Sequence, residues 1–550
     1  MTRYVIGIDF GTLSGRAVLV NAESGEEIAE STHIYTHGVM DECLPCGKPL
    51  PANYALQHPR DYLDTLKITV PDLLKQAGIH ADAIAGLGID FTACTLLPVD
   101  EDGTPLCMKE IYRNRPHAYV KLWKHHAAQP EADEITALAE QRKEAWLPIY
   151  GGKISSEWAL PKILQVLREA PDIYEHTARF TEAADWLSLM LTDTETHSAA
   201  FAGYKGLWNA QTGYPSDDFM TALDPRLHGI VGSKLSKSIF GMDKTAGRLS
   251  ARGASLTGLS VGTPISLPMI DAHAAMPALG ITGEGELMMI IGTSTCHILN
   301  SAQGKNVEGI CGYVKDGVIP GFYSYEAGQA AVGDIFDWFV KNCVPATYQK
   351  EADEKGINIH KLLREKASRL FPGESGLLAL DWFNGNRSIL VNAHLTGLVL
   401  GLTLQTKPEE IYRALIESTA YGTRMIMEQY EESGIAIHRV YAAGGIAQKD
   451  EMMMQLYADV LNRDIHIAGS AQAGALGSAI YASVAAGLYP TVNAAAKRLG
   501  KPDWKVYRPN FENHALYEGL YAEYRSLHDY FGRGMNDVMV RLKDFLPKRH

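Results

Sequence analysis

Cysteine is scarce in this 550-residue chain, which has seven, an odd number scattered over the whole length. A disulfide framework is therefore excluded, and we expect reduced thiols. Cys43 and Cys46 have the spacing of a metal or redox pair, but no second pair or histidine cluster accompanies them. We interpret them as an inert pair in a loop.

Long apolar runs and excess positive charge are also missing. No run of 18 apolar residues occurs, and the first residues enter a strand pattern without the apolar core of a signal peptide. The formal charge of −13 argues against general binding to nucleic acids or anionic membranes. We expect a cytoplasmic protein that acts on small molecules, without a nucleic-acid or membrane partner.

Three common chemical motifs are absent from the sequence: the Walker A motif, Gly-x-Gly-x-x-Gly and His-Glu-x-x-His. Their absence excludes the P-loop, Rossmann and zincin classes. The apolar content of 46% and charged content of 21% are typical of an ordinary globular protein. The length favours two large domains over one.

Two strand-turn-strand patterns are similar and far apart. Tyr4 to Phe10 leads through a Gly-Thr turn to Arg16, and Glu286 to Ile291 leads through Gly292-Thr-Ser-Thr295 into a second apolar strand. The threonines Thr12 and Thr293 are 293 − 12 = 281 positions apart, about half of the chain. This spacing predicts two similar lobes, each contributing a phosphate-binding hairpin to a central cleft.

A candidate base and a candidate nucleotide pocket accompany these turns. Asp271 follows an apolar run and begins a small-residue segment that can open a helix, so its carboxylate can point into a cleft. The strand from Arg439 ends on Gly444 and Gly445, before a predicted helix over 449–461. Paired glycines let the backbone approach a flat base or ribose. A second segment rich in small residues runs from Gln472 to Ala479.

These motifs resemble the FGGY family of carbohydrate kinases. The resemblance rests on Asp9-Phe-Gly-Thr12, Asp271-Ala-His-Ala-Ala275 and Gly292-Thr-Ser-Thr295, and on the stretch from Gly397 to Glu417, which nearly fits the second family signature. The chain differs from the first family signature, because Pro161-Lys-Ile-Leu164 stands where that signature usually has a lysine followed by a tryptophan. The resemblance covers essentially the whole chain.

The resemblance implies an α/β fold of two actin-like (ribonuclease H-like) lobes around a central ATP and sugar cleft. We expect an N-terminal lobe over 1–280, a C-terminal lobe over 281–500 and a helical extension over 501–550. In that extension the apolar residues from Tyr517 to Phe531 recur at helical spacing, which predicts a docking helix or an oligomer contact. A homodimer is the expected assembly.

The resemblance also implies ATP and Mg²⁺ as cofactors, with Asp271 as general base and Asp9 orienting Mg²⁺ through water. The expected phosphate-binding residues are Thr12, Arg16, Gly292, Thr293, Ser294 and Thr295. The expected adenosine-binding residues are Gly444, Gly445 and Gln448.

On the sugar side, the stretches Gly88 to Thr95 and Tyr112 to His126 resemble family members that phosphorylate L-ribulose. From residue type alone, Trp123 would pack a helix over 118–126 onto the core. Lys205 would have a buried stem and a solvated ammonium group, and Glu326 would be a charge at a helix N-terminus. The resemblance favours substrate contacts for all three and for the small Ala93.

The implied reaction is ATP-dependent phosphorylation of L-ribulose at O5 to L-ribulose 5-phosphate, a step of L-arabinose catabolism. The alternatives are a kinase of D-xylulose, D-ribulose or glycerol, and an actin-like nucleotide switch. A switch leaves Trp123, Lys205 and Glu326 without a role.

Overall fold

The computed structural model describes residues 2–468, 473–502 and 504–545. Strands of the first half are β1 Tyr4–Phe10, β2 Ser14–Asn21, β3 Glu27–Ile34, β4 Leu56–Gln57, β5 Ile84–Phe91, β6 Leu96–Val99, β7 Val120–Lys121, β8 Arg179–Glu182, β9 His197–Ser198, β10 Ile239–Phe240, β11 Thr245–Arg248, β12 Pro264–Ser266 and β13 Met269–Ile270. Its helices are α1 Pro59–Ala77, α2 Gln129–Arg142, α3 Ala159–Glu169, α4 Pro171–His176, α5 Ala183–Thr192, α6 Ala199–Lys205, α7 Asp217–Leu223, α8 Ile230–Ser233, α9 Ala251–Thr257 and α10 Asp271–Ala278.

The second half repeats this mixture of strands and helices. Its strands are β14 Glu286–Ile291, β15 Thr295–Ser301, β16 Gly312–Lys315, β17 Tyr323–Gln329, β18 Leu378–Leu380, β19 Leu398–Leu400, β20 Arg439–Ala443, β21 Ile465–Ala468 and β22 Trp504–Tyr507. Its helices are α11 Gly333–Cys343, α12 Ala346–Glu354, α13 Ile359–Ala367, α14 Pro408–Glu432, α15 Gly445–Lys449, α16 Glu451–Leu461, α17 Ala473–Ala485, α18 Val492–Leu499, α19 Phe511–Gly532 and α20 Val538–Arg541.

The two halves build equivalent sheets. In the first, β1, β2 and β3 form an antiparallel meander and β5 runs parallel to β1, followed by β12. In the second, β14, β15 and β17 form the meander and β20 runs parallel to β14, followed by β21. The predicted pair of strand-turn-strand units is thus confirmed as the β1–β2 and β14–β15 hairpins.

Helix α17 belongs to the second half of the sequence but packs directly on the sheet of the first half, so it connects the two. A Cβ atom on Gly7 of β1 would lie 1.8 Å from the carbonyl oxygen of Ala475, and one on Gly88 of β5 would lie 2.1 Å from that of Ser478. Only glycine allows so close an approach of helix and strand. Both strands are therefore covered on their faces and read as nearly continuous apolar runs.

A third core lies in the first half. Strands β4, β7, β6 and β8 form a separate sheet that packs with α2 and α3. The buried apolar residues of this third core lie between positions 40 and 235. We call this part the insertion. The domain boundaries at 280/281 and 500/501 stay predictions, as does the homodimer.

The predicted helix over 118–126 is wrong. Val120 and Lys121 form β7, which pairs with Leu56 and Gln57, and turns follow it. Strand pairing has overridden the helical periodicity in this segment.

The C-terminal helix docks within the chain. Tyr517, Tyr521 and Tyr524 of α19 are buried in the core of the second lobe. In the described ranges no helix has the length and apolar character needed to cross a bilayer.

Candidate active site

Three carboxylates meet at the carboxyl edge of the first sheet. Asp9 near the end of β1 is in register with Asp90 on β5, and Ile270 of β13 is in register with Phe91, so Asp271 begins α10 beside them. Ligands usually bind at this edge of α/β sheets. Asp90 was not among the predicted site residues, although the tetrapeptide Gly-Ile-Asp-Phe occurs at both 7–10 and 88–91.

The electrostatics of the three carboxyl groups differ. Burial raises the pKa of Asp9, although the Arg16 guanidinium lies 2.9 Å from its Oδ2. Asp90 is fully buried, and Ser478 Oγ donates to its Oδ2 at 2.6 Å. Burial and the nearby charge of Asp9 hold the pKa of Asp90 well above its usual range.

Asp271 is the carboxyl group with properties of a base. Burial, and then the charge of Asp9, raises the pKa of Asp271 to about 7. The N–H of Ala272 donates to Oδ1 at 2.7 Å and partly offsets this rise, because the hydrogen bond favours the ionised form. A group with a pKa near the operating pH is well suited to general base catalysis. Asp271 can therefore accept a proton near neutral pH.

The two phosphate turns have a similar construction. The Gly11 N–H donates to the Ser14 carbonyl at 3.0 Å, and the Gly292 N–H donates to the Ser294 carbonyl at 2.9 Å. Thr12, Thr293 and Ser294 are accessible, whereas Thr295 is fully buried. Among the described residues Thr295 Oγ1 has no hydrogen-bond partner, and its role as a phosphate ligand stays a prediction.

Helix α11 begins at the second turn. The N–H groups of Val332 and Asp334 donate to the Thr293 carbonyl at 2.7 and 3.2 Å, and Gly333 N–H donates to the Gly292 carbonyl at 3.0 Å. The positive end of this 11-residue helix therefore adjoins the predicted phosphate site. Helix α11 was not among the predicted site elements.

A cavity of about 490 Å³ connects the second turn to the double glycine, a volume within the usual range for small ligands. Its lining includes Gly292, Thr293, Phe336, Tyr412, Gly445 and Lys449. The predicted helix over 449–461 is present as α16, which begins at Glu451 because Asp450 caps it by accepting from Met453 N–H at 3.0 Å, and a short separate helix, α15, precedes it. Gln448 lies in α15, and Gln472 lies outside the described residues.

Gly444 and Gly445 differ in whether a side chain would fit, and this difference gives a matched pair of variants. Gly444 has a φ of 96° and a Cβ there would lie 2.4 Å from the Ile291 carbonyl oxygen, whereas a Cβ on Gly445 would meet nothing within 4 Å. We expect Gly444→Ala to lower the thermal midpoint, and Gly445→Ala to raise the KM for ATP at an unchanged midpoint. An unchanged KM for ATP in Gly445→Ala would contradict adenosine binding there.

Lys205 and Glu326, both predicted sugar contacts, bind each other between the two lobes. Lys205 ends α6 of the first lobe, Glu326 lies on β17 of the second, and their side chains form an ion pair. His273 Nε2 lies 2.9 Å from the other carboxylate oxygen of Glu326. Burial opposes both charges, but the pair outweighs it, so the pKa of Glu326 lies below and that of Lys205 above the usual range.

Trp123 and Ala93 lie close to the first phosphate turn. Trp123 Nε1 donates to Thr12 Oγ1 at 3.3 Å, so the indole lies beside this turn. Ala93 follows β5 and packs against the first-lobe core and the insertion core. The structure therefore brings one predicted sugar-side residue, Trp123, into contact with a predicted phosphate-binding residue, Thr12.

The donor set fits a magnesium ion at Asp9. Carboxylate oxygens are the ligands that Mg²⁺ prefers, and the Asp9 and Asp90 carboxyl groups face each other at this edge, with no N–H or hydroxyl donor to Asp90 Oδ1 among the described residues. Ligand atoms of His273, Cys296 and Glu326 also lie within 4.8 Å of one another. Because Glu326 is already paired with Lys205, we interpret this second cluster as part of the sugar side.

Family models match both halves of the chain. The N-terminal domain of the FGGY family of carbohydrate kinases matches residues 4–278, and the C-terminal domain of that family matches residues 287–486. The chain belongs to the FGGY family of carbohydrate kinases. Kinases of this family take ATP as the phosphoryl donor and a sugar as the acceptor.

Curated relatives are similar over the full length. The ribulokinase of Halalkalibacterium halodurans is 52% identical over 554 residues, with 100% of this chain and 98% of the relative covered. The ribulokinase of Bacillus licheniformis is 54% identical over 536 residues, with 96% and 97% covered.

Solved structures confirm the two-lobed fold. A xylulose kinase from Rhodospirillum rubrum has a TM-score of 0.79 at 22% identity, covering 96% of this chain and 98% of that one. A gluconate kinase from Lactobacillus acidophilus has a TM-score of 0.80 at 18% identity, covering 97% and 99%. Similarity at these identities carries the fold alone.

Proposed function

We propose that this kinase transfers the γ-phosphoryl group of ATP to O5 of L-ribulose. The observation that carries the proposal is the position of Asp271, a carboxyl group with a pKa of about 7 at the sheet edge that also bears the first phosphate turn. The name ribulokinase, carried by relatives that match the whole chain, supports the choice of sugar.

In the proposed reaction, the Asp271 carboxylate accepts the proton of the sugar O5 hydroxyl. The O5–Pγ bond forms while the bond from Pγ to the bridging oxygen of ADP breaks. Thr12, Arg16, Thr293 and Ser294 hold the phosphates, so the residues act by positioning and charge stabilisation. Asp9 would hold a Mg²⁺ ion, which would supply positive charge to stabilise the phosphates.

The sugar-side groups suit a linear keto-pentose. Lys205 retains N–H donors beyond its bond to Glu326, and Glu326 retains acceptor lone pairs beyond those used by Lys205 and His273. Trp123 provides a flat apolar wall, and Ala93 leaves room beside it. Glycerol has too few hydroxyl groups for these partners, and each buried group left unpaired costs about 1–3 kcal/mol.

The test is ATP turnover with L-ribulose, D-ribulose, D-xylulose and glycerol side by side. We expect kcat/KM for L-ribulose to exceed that for glycerol by roughly 10²-fold or more, as the loss of two or more hydrogen bonds predicts. The difference between epimers should be smaller, because a water can replace a single hydroxyl contact. Glycerol or D-xylulose as the best substrate would contradict the proposal.

A further inference from the structure

A buried lysine that the proposed reaction does not use binds two separate segments of the sugar side. Lys162 of α3 is fully buried, and its Nζ donates to the Cys94 carbonyl at 2.6 Å and to the Leu122 carbonyl at 2.9 Å. Cys94 directly follows Ala93, and Leu122 directly precedes Trp123. One ammonium group therefore links the segment that carries Ala93 to the segment that carries Trp123.

The turn over residues 92–95 depends on such support. Cys94 has a φ of 58°, in the left-handed region that is unfavourable for a residue with a side chain. Glu182 at the end of β8 accepts the N–H of Thr95 at 2.8 Å, and the hydroxyls of Thr92 and Thr95 lie 2.8 Å apart. Two buried charged side chains thus hold the strained turn, one through a carbonyl and one through an N–H group.

Burying the charged groups of Lys162 and Glu182 costs free energy, which indicates that they do more than fill the core. Burial lowers the pKa of Lys162 and raises that of Glu182 to about 7, while each charge favours the ionised form of the other. A buried charge is expensive even when it is fully hydrogen-bonded, and an apolar side chain at position 162 would fill the core of the insertion more cheaply. What the ammonium adds is a fixed position for two carbonyl groups.

We propose that Lys162 and Glu182 are positioning residues that determine sugar selectivity without touching the sugar. They fix the spacing between the 92–95 turn and Trp123, and so the width of the pentulose site. This inference rests on the proposed function, because Ala93 and Trp123 are sugar contacts only in that proposal.

The kinetic test is Lys162→Met, which keeps the unbranched stem of the side chain and removes the ammonium group with its charge and donors. We expect the KM for L-ribulose to rise about tenfold or more, as the loss of two charge-assisted hydrogen bonds predicts. The KM for ATP should change much less, because the nucleotide cavity belongs to the second lobe and Trp123 contacts the phosphate-binding residues through Thr12 alone among the described hydrogen bonds. Preference for L-ribulose over D-xylulose should fall. Glu182→Gln, which keeps an acceptor for Thr95 N–H, should show the same pattern more weakly.

The matched control is Ile135→Ala, which removes a fully buried apolar side chain from the same insertion core. It should lower the thermal midpoint and leave the KM for L-ribulose unchanged. An equal rise of this KM in Ile135→Ala, or an unchanged KM in both Lys162→Met and Glu182→Gln, would overturn the proposal.

Hydrogen exchange gives a readout that needs no sugar. Backbone amides of residues 92–96 and 120–124 should exchange faster in Lys162→Met than in wild type, and at the wild-type rate in Ile135→Ala. If the wild type phosphorylates no pentulose, the proposed function fails, whereas the exchange rates still decide whether Lys162 holds the two segments. If Lys162→Met does not fold, Glu182→Ala, which removes the acceptor for Thr95 N–H, carries both measurements.

Discussion

Asp271→Asn should lower kcat by ~10²–10⁴-fold, the usual contribution of a general base, while leaving the KM for ATP unchanged. The same substitution should stabilise the fold at pH 8. Asp271 has a pKa of about 7 in the folded chain, so between its ordinary value and pH 7 the folded state holds a proton that the unfolded state has lost. The free energy of unfolding therefore falls as the pH rises through this range.

The size of this stabilisation follows from the shift. The upper bound of the gain in unfolding free energy is about 4 kcal/mol, from roughly three pKa units at 1.36 kcal/mol each. Because the Asp271 side chain is partly exposed, the expected gain of the asparagine variant is smaller, about 1–3 kcal/mol. Thermal unfolding at pH 8 and pH 5 measures this gain, which should be nearly complete at pH 8 and less than half as large at pH 5, because it develops between the ordinary pKa of an aspartate and about pH 7. The kcat/KM of the wild type should decline below pH 7, and that of the variant should stay flat.

Asp381→Asn is the matched control, because Asp381 is also buried with a raised pKa but lies in the second lobe, where Gln329 and Tyr524 donate to it. It should leave kcat within about threefold, since it touches no reacting group. An Asp271→Asn enzyme with more than half of the wild-type kcat would remove Asp271 from the mechanism.

The paired hairpins and the edge position of Asp271 could be predicted from the sequence because they depend on local signals. Alternating strands, Gly-Thr turns and a carboxylate after an apolar run are all visible in a short window. The repeated Gly-Ile-Asp-Phe could have added Asp90, because identical segments on adjacent strands bring their carboxylates into register. The match of both family domain models supports the same assignment.

Contacts between distant segments could not be predicted in this way. The sequence cannot show that Lys162 is buried, since lysine is usually exposed and only the tertiary structure brings the Cys94 and Leu122 carbonyls to it. Nor could it show that Lys205 and Glu326, 121 residues apart, bind each other directly. Trp123 was wrongly assigned to a helix, because the sequence does not show that Val120 and Lys121, just before it, pair with the distant β4.

The Lys205–Glu326 ion pair gives a second large effect, because its two partners lie on opposite lobes. Lys205→Met should leave a buried carboxylate with His273 as its remaining partner, and breaking such a pair from one side typically costs about 3–5 kcal/mol. The same variant should lower kcat/KM for L-ribulose by roughly 10²-fold, because a donor for the sugar oxygens is lost together with the position of Glu326.

The double variant Lys205→Met/Glu326→Gln separates stability from recognition. It removes both charges, and His273 can still donate to the amide oxygen, so the thermal midpoint should recover much of the loss while kcat/KM for L-ribulose stays low. Arg413→Met is the matched control, since Arg413 and Glu417 form a buried ion pair of 2.8 Å within the second lobe. It should lower the midpoint without changing kcat/KM for the sugar. If Lys205→Met keeps kcat/KM for L-ribulose within threefold, the ion pair holds the lobes together without contacting the sugar, and the proposed sugar site is wrong.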